Sequence, residues 1–411
     1  MFSGLNSIVN SNNNYITLKT LGISSIILST QLCINFASYY FTYDFSFYNI
    51  LHINLSLWIF LILQINLLEL LPGKLYYGPK SQDSRQILPE YKENGVKAFI
   101  VTCLFTQMCI SKGVLNPLII YFNMGILCSI LNFYALILCL YLLLEVPDYF
   151  HDYSNVLERF YIGQELYPIF HNLNIKFITN CRFGMMLWPV LLIIFINSHY
   201  QLYNTITPAM SVNFILQMIY IFKFFYWEKG YTHSLDVMHD KAGYYICWGC
   251  IVWVPSFYTL TSYYLVSNKG TNYPDSITLL VTGLIGIIVN YWADYQKKHF
   301  RETDGKCRIF TKRPKYLEAY YIDENGHTKT NKLLVDGFWS ISRHFNYVPE
   351  LISAYSWCLC CNSIYGWLYP FFLTVLLFHR AERDSLKCAN KYLNWYKYCQ
   401  IVKYKIIPGI Y

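Results

Sequence analysis

Long apolar stretches alternate with short polar ones along most of the 411 residues. A helix needs roughly 20 mostly apolar residues to cross a lipid bilayer, so these stretches predict membrane helices. They lie near residues 17–41, 49–72, 97–114, 117–145, 183–200, 209–227, 244–267, 276–294 and 350–378. The last contains Asn362, Gly366 and Pro370 and is predicted to hold two segments. We therefore expect about ten transmembrane helices.

The strongest interruption of this pattern is the polar stretch at 297–335, which begins with a cluster of basic residues. Basic residues beside membrane spans favour the cytosolic side. Further along, residues 315–322 and 328–335 flank Asp323-Glu324-Asn325-Gly326. Asn-Gly favours a tight turn because both residues accept a positive φ. The stretch therefore predicts a small cytosolic β-hairpin.

These elements together predict the fold class. We expect an all-α, polytopic integral membrane protein with about ten transmembrane helices and the small cytosolic β-hairpin. The chain is predicted to form a single membrane-embedded domain, with N-terminal helices in residues 1–240 and a ligand-binding half in residues 241–411.

Composition and charge agree with a membrane location. Hydrophobic residues make up 55% of the chain and charged residues only 14%, against about 25% charged in soluble domains. The net charge is +8, but the basic residues lie between and after the apolar stretches. That arrangement is typical of positive-inside topology, so we expect membrane lipids as surroundings and no nucleic-acid partner.

The 14 cysteines do not predict a metal site. Cys247 and Cys250 have the CxxC spacing but lie in an aromatic, apolar stretch, where cysteine is usually a small buried hydrophobe. A second cluster, at 358–361, has no matching pair elsewhere in the sequence.

Polar residues recur at helical spacing in the C-terminal third. One face holds Arg380, Asp384, Cys388 and Lys391; a second holds Trp339, Arg343, Asn346 and Tyr347; a third holds Lys297 and Arg301. Guanidinium forks match phosphate and aromatic rings stack on planar groups, so the faces suit a dinucleotide with a ribose phosphate. Basic residues at helix ends also commonly reach lipid headgroups, and spacing alone leaves both interpretations open. A GxGxxG motif after a strand is absent, so a dinucleotide would bind without a Rossmann fold.

Residues 378–392 resemble the C-terminal motif of the sterol reductase family, His-Arg-x-x-Arg-Asp-x-x-x-Cys-x-x-Lys-Tyr. This family includes Δ14-, Δ7- and C-24(28)-sterol reductases and the lamin B receptor. The similarity extends through 332–347, 301–307 and 235–265, and covers most of the chain after about Leu67. Gly337-Phe338-Trp339 and the terminal Pro-Gly-Ile-Tyr are most similar to the Δ7-reductase branch.

The resemblance implies a ten-helix membrane fold that binds NADPH near the cytosolic face of its C-terminal helices. It assigns the cofactor contacts position by position. They are Lys297, Arg301, Leu334, Trp339, Asn346, Tyr347, Arg380, Asp384, Cys388, Ala389, Asn390, Lys391, Tyr392 and Tyr398. This set, called the cofactor set below, includes most of the basic and aromatic faces found from spacing.

The resemblance also implies reduction of a ring double bond in a sterol that arrives from the bilayer, and it favours the endoplasmic reticulum as the location. An isolated alkene accepts hydride poorly, so we expect a protonation step that needs a positioned acid and a dry pocket. Tyr220 and Asp240 are the predicted acids, and Glu228 and His239 occupy neighbouring family-like positions.

Several positions that the resemblance assigns to the sterol-binding part depart from the family pattern. Tyr167 and Ile169 stand where the family usually has Asn and Arg, and Lys223 and Cys250 each replace Asp. A Δ14-sterol reductase and a catalytically impaired sterol-binding protein therefore remain alternatives. A methyltransferase like those acting on isoprenylcysteine is a third class, against which the long match from Gly337 to Tyr347 argues.

Overall fold

The computed structural model describes residues 2–80, 87–146, 155–322 and 326–411, with side chains from Lys19 onward except that of Leu235. Within these residues the chain is mostly helical. The first half contains α1 Phe2–Tyr40, α2 Phe47–Leu70, α3 Gly95–Ser111, α4 Pro117–Phe122, α5 Met124–Glu145, α6 Val156–Ile162, α7 Ile175–Phe177 and α8 Met185–Tyr203, with a π-helical stretch Ile178–Gly184 between the last two.

The remaining helices begin with α9 Pro208–Tyr226. They continue with α10 Glu228–Tyr231, α11 Leu235–Met238, α12 Tyr244–Trp248, α13 Val254–Phe257, α14 Leu260–Val266, α15 Tyr273–Glu302, α16 Tyr347–Leu359, α17 Tyr365–Lys391 and α18 Trp395–Ile401. A second π-helical stretch, Gly249–Trp253, joins α12 to α13, and a 3₁₀ turn, Gly337–Ser340, precedes α16.

The described residues contain six helices long and apolar enough to cross a membrane. They are Lys19–Tyr40, Phe47–Leu70, Met124–Glu145, Ile175–Tyr203, Pro208–Tyr226 and Tyr273–Glu302. A shorter apolar helix, Gly95–Ser111, follows the second of them. These segments agree with an integral membrane protein, but the expected count of about ten spans is not confirmed.

Three predicted spans contain breaks, and the break in residues 244–267 leaves no helix there long enough to cross a membrane. Residues 117–145 form two helices because Asn123 interrupts them and its amide donates back to the Ile119 carbonyl at 3.0 Å. Residues 244–267 divide into short helices around the π-helical stretch Gly249–Trp253. Residues 350–378 divide after Leu359, near Asn362 with its φ of 47°, as its polar and helix-breaking residues predict.

The predicted hairpin is present. Strand β5, Tyr316–Ile322, pairs antiparallel with β6, Thr328–Leu334, in a register that places Tyr316 opposite Leu334 and Ile322 opposite Thr328. Residues 323–325 of the expected turn lie outside the described residues. Two shorter antiparallel pairs were not predicted: β1 Lys74–Tyr77 with β2 Glu90–Glu93, and β3 Ile169–Phe170 with β4 Leu173–Asn174.

The chain divides into two compact units, each containing one short segment from beyond its main stretch. The first is Met1–Asn204 with Ile221–Tyr263, and the second is Thr205–Tyr220 with Tyr264–Tyr411. Residues 264–411 of the predicted ligand-binding half lie in the second unit. All fourteen residues of the cofactor set belong to the second unit.

Interhelical hydrogen bonds satisfy polar side chains in the first unit. The amides of Gln31 on α1 and Asn132 on α5 exchange two hydrogen bonds of 3.1 and 2.9 Å. The Asn132 oxygen also accepts from the Trp248 indole at 2.7 Å. Such bonds satisfy polar groups that would be costly to leave unpaired in lipid.

Candidate functional site

A polar stripe on α15 provides one side of the candidate site. Asn290, Asp294, Lys297 and Arg301 recur every three or four residues and so share a helical face. The Lys297 ammonium lies 4.1 Å from the centroid of the Trp339 ring, a cation–π contact. The indole N–H of Trp339 donates to the Ala293 carbonyl at 2.8 Å, which fixes the ring against α15.

A glycine turn places Trp339 there. Gly337 has a φ of 60°, which favours glycine, and a Cβ at this position would lie 2.4 Å from Oε1 of Gln296. That oxygen accepts from the backbone N–H of Phe338 at 3.1 Å. Glycine at position 337 therefore lets this turn approach α15 closely, which explains the glycine of the Gly-Phe-Trp motif.

The start of α16 adds Asn346 and Tyr347. The Asn346 amide donates to Oδ1 of Asp294 at 3.0 Å, and its backbone carbonyl accepts from the Asn290 amide at 2.8 Å. Within the described part of the chain, Oδ1 of Asn346 is buried without a hydrogen-bond partner. The Tyr347 ring stacks on His344 at 5.1 Å. The site therefore holds a buried acceptor beside a polar helix face.

Helix α17 brings its own polar face to the same place. Nε2 of His344 lies 3.8 Å from Oδ2 of Asp384. Burial raises the pKa of the Cys388 thiol, as does Asp384, while Lys297, Lys391 and Arg301 lower it. The His344–Asp384 contact thus brings the predicted face of α17 to the segment that precedes α16.

The hairpin closes the far end of this site. The Tyr392 hydroxyl accepts from the Asn331 amide at 3.0 Å, and the Tyr398 hydroxyl donates to the Leu334 carbonyl at 3.4 Å. Three of the cofactor-set residues, Leu334, Tyr392 and Tyr398, are thereby joined through β6. Ala389 and Asn390 lie exposed on the last turn of α17.

A polar cavity of about 260 Å³ lies between the end of α15 and β6. Its lining consists of Phe300, Arg301, Asp304, Asn331 and Lys332. The Lys332 ammonium donates to Oδ2 of Asp304 at 2.7 Å and to its backbone carbonyl at 3.0 Å. The cavity thus combines Arg301 and the Lys332–Asp304 ion pair with a buried aromatic ring, and its net positive charge suits a phosphorylated ligand.

The two predicted acids lie in different units. Tyr220, in the second unit, hydrogen-bonds through its hydroxyl to the Glu350 carboxylate, and its ring centroid lies 5.2 Å from that of Trp357. Asp240, in the first unit, accepts through its backbone carbonyl from the Lys176 ammonium at 2.7 Å. Whether either residue acts as the acid stays a prediction.

Glu228 belongs to a buried ion pair. Its carboxylate binds the Arg182 guanidinium through both oxygens, one of them at 3.1 Å, and accepts from the Gly95 backbone N–H at 3.1 Å. The second terminal nitrogen of Arg182 also donates to Oδ1 of Asn94 at 2.8 Å. The carboxylate therefore joins separate segments of the first unit and is engaged as the partner of Arg182.

Sequence reasoning missed several residues of this site. Asn290 and Asp294 carried a usable signal, since they extend the Lys297–Arg301 spacing toward the N-terminus of α15. Lys332 could not be recognised, because only the packing of β6 against α15 brings it to the cavity that Arg301 also lines. Glu350 could not be recognised either, since its partner Tyr220 lies 130 residues away in the sequence.

The chain is similar over most of its length to a known protein family and to members of it. The model of the ergosterol biosynthesis ERG4/ERG24 family matches residues 8–411. The chain is 43% identical to the 7-dehydrocholesterol reductase of Arabidopsis thaliana over 354 residues, which cover 83% of this chain and 81% of the relative.

Two more distant relatives carry related names. The 7-dehydrocholesterol reductase of Danio rerio is 31% identical over 84% of this chain and 74% of its own length. The Delta(14)-sterol reductase of Methylotuvimicrobium alcaliphilum is 29% identical over 83% of this chain and 79% of its own length.

Proposed function

This chain belongs to the ergosterol biosynthesis ERG4/ERG24 family of sterol reductases, and we propose that it uses NADPH to reduce the Δ7 double bond of 7-dehydrocholesterol or a similar sterol. The family makes it a membrane oxidoreductase of sterol biosynthesis. The observation that carries the cofactor proposal is the cation–π contact of Lys297 with the Trp339 ring, together with the polar cavity lined by Arg301 and Lys332.

The residues present fit a phosphorylated dinucleotide. Arg301 and Lys332 line the polar cavity and offer positive charge to a phosphate. Trp339 and Tyr347 offer aromatic faces. The buried Oδ1 of Asn346 is an acceptor without a partner among the described residues, and the carboxamide of a nicotinamide carries the N–H donors that it lacks.

Bound NADPH supplies a hydride. The protein's own residues bind and orient the ligand, exclude water, and deliver a proton to one carbon of the ring alkene. Tyr220 is the proposed proton donor, since its hydroxyl has a carboxylate behind it in the unit that contains the cofactor set. Asp240 is the alternative donor.

The Δ7 position is favoured over Δ14 by similarity. The 43% identical plant relative and the 31% identical fish relative are both named 7-dehydrocholesterol reductases. The relative named for Δ14 reduction is 29% identical. We also propose the endoplasmic reticulum as the location, because the substrate is a membrane sterol and the basic segment at 297–315 favours a cytosolic cofactor side.

The full-length chain, expressed in yeast that lacks its own sterol reductases, tests the activity. Membranes would receive 7-dehydrocholesterol or a Δ14 sterol with NADPH, and sterols would be measured by gas chromatography with mass spectrometry. We expect loss of the Δ7 double bond and retention of the Δ14 one. Reduction of Δ14 alone would assign the chain to the alternative reductase, and NADPH binding without any reduction would favour a non-catalytic sterol-binding protein.

Neighbouring lysines on α15 test the cofactor site. K297Q removes the cation over Trp339, and we expect about tenfold weaker NADPH binding in a fluorescence titration of purified protein. K298Q is the matched control, because the Lys298 side chain is 42% exposed and belongs to a surface ion pair. Its Nζ lies 4.0 Å from Oε1 of Glu302. Equal affinities for the two variants would argue against the proposed cofactor face.

A further inference from the structure

Helix α9 carries an unusual line of polar side chains for an apolar membrane segment. Asn213, Gln217 and Tyr220 follow one another at intervals of four and three residues and so share a face. Asn213 and Gln217 are completely buried. Polar groups within membrane helices are costly and commonly functional.

Each member of this line has a partner within the second unit. The Asn213 amide donates to the Trp357 carbonyl at 2.7 Å, and the Gln217 amide donates to Oδ1 of Asn213 at 2.9 Å. Tyr220, one turn further, hydrogen-bonds to the Glu350 carboxylate. The line therefore ends in a tyrosine–carboxylate pair that the packing of the two amides holds against α16.

Helix α16 relates that pair to the cofactor face. The backbone N–H of Glu350 donates to the Asn346 carbonyl at 3.3 Å, so Glu350 lies one helical turn after Asn346 and on the same face. Asn346 contacts Asp294 on the polar stripe of α15. One rigid helix thus carries both the partner of Tyr220 and a residue proposed to hold the cofactor.

We propose that Glu350 is a positioning residue that holds the Tyr220 hydroxyl and returns the proton that Tyr220 gives to the sterol. The inference rests on the proposed reductase function. A tyrosine that protonates an alkene beside an ionised glutamate would leave two adjacent anions, which a site of low dielectric disfavours. The proposed step therefore requires a proton on Glu350 when Tyr220 reacts.

The proposed step transfers one proton and one hydride to the sterol. The Tyr220 O–H bond breaks as a C–H bond forms on one alkene carbon, and the Glu350 O–H bond breaks as the Tyr220 O–H bond is restored. The other alkene carbon would become cationic, and a bound reduced nicotinamide would supply the hydride that this carbon accepts. Glu350, left as a carboxylate, regains its proton from solvent, so the sterol gains one proton and one hydride in total.

A second tyrosine–glutamate pair in the same unit provides a matched control. The Tyr411 hydroxyl donates to the Glu382 carboxylate, which Lys405 also binds. E350Q and E382Q each replace a tyrosine-bound carboxylate by a neutral amide. A general effect of removing such a bond appears in both variants, whereas an effect on proton return appears only at Glu350.

The experiment compares wild type, E350Q, E350D, Y220F, the Y220F/E350Q double variant and E382Q as purified full-length chains. For E350Q we expect kcat to fall about 10²- to 10⁴-fold, the range typical of general acid catalysis, with KM for the sterol and affinity for NADPH within threefold of wild type. E350D keeps a carboxyl group and is expected to recover at least about tenfold of that loss. The double variant should be no slower than the slower single variant, because residues that act as a unit are not additive.

Other outcomes overturn the proposal in distinguishable ways. If the wild type turns over and E350Q has the same kcat, the proposed role of Glu350 is wrong, but the proposed reductase function still stands. Equal losses in E350Q and E382Q, or a rise in KM without a fall in kcat, indicate a structural bond. Absence of turnover in the wild type, with NADPH bound and sterol present, overturns both this proposal and the proposed function.

Discussion

The guanidinium of Arg182 and the carboxylate of Glu228 form an ion pair whose side chains are 1% and 0% exposed. Removing one partner leaves an uncompensated buried charge, which typically costs about 3–5 kcal/mol. We therefore expect E228Q to lower the free energy of unfolding by that order, measured by thermal unfolding of the purified protein in detergent. The additional bonds from Gly95 and Asn94 would also be disturbed.

A surface pair provides the comparison. Lys298 and Glu302 lie 4.0 Å apart with both side chains exposed, and such pairs contribute about 0–1 kcal/mol. E302Q should leave the unfolding temperature nearly unchanged. Similar unfolding temperatures for E228Q and E302Q would contradict a stabilising role for the buried pair.

Gly163 is expected to tolerate no side chain. Its φ of 95° and ψ of 163° fall in a region that is essentially restricted to glycine, and a Cβ there would lie 2.5 Å from the Ala242 carbonyl carbon. The backbone strain alone should cost G163A about 1–3 kcal/mol, seen as a lower unfolding temperature. The control is G249A, since an added Cβ at Gly249 meets no atom within 4 Å. Equal stability of the two alanine variants would refute the close approach.

His344 should make stability depend on pH. It lies outside the membrane-spanning helices, and burial lowers its pKa to about 4. Lys297, Arg343 and Lys405 act in the same direction as burial, while Asp384 opposes them. Because the pKa of His in the unfolded chain is about 6.5, the neutral form stabilises the fold above pH 6.5. This contribution, up to about 3 kcal/mol, is lost as the pH falls from 6.5 toward 4.

Chemical unfolding at several pH values between 4 and 8 measures this loss. H344Q keeps a polar side chain of similar reach but cannot titrate, so its stability should vary less with pH across that window. A wild-type protein and an H344Q variant with parallel pH profiles would show that His344 is not the group responsible.

Sequence patterns predicted the parts of this structure that depend on neighbouring residues. Asn325-Gly326 between two strand-forming runs predicted the β5–β6 hairpin, whose strands pair as expected. Helical spacing predicted that Lys297 and Arg301 share one helical face and that Arg380, Asp384 and Cys388 share another, and both stretches are helical in α15 and α17. In each case the signal lies within a few turns of helix or one short connection.

The remaining features depend on tertiary context. Residues 244–267 are apolar enough for one span, but average hydropathy does not register the π-helical stretch Gly249–Trp253 that divides them. Arg182 and Glu228 are 46 residues apart, and sequence alone gave no reason to pair them. Glu228 occupies a family-like position near the predicted acids in the sequence, but the structure pairs its carboxylate with Arg182.

The attachment of residues 392–394 to the hairpin has a consequence for the order of assembly. The Leu393 N–H donates to the Tyr320 carbonyl at 2.9 Å, and the Asn394 side chain bonds to the backbones of Tyr320 and Glu318. During synthesis β5 and β6 leave the ribosome well before this segment does, so that edge of the hairpin lacks this partner until α17 and residues 392–394 have been made. Ribosome-stalled chains that stop before Tyr392 would lack this contact with the hairpin together with Tyr392 and Tyr398 of the cofactor set, and we expect the proposed NADPH binding to require the longer chain.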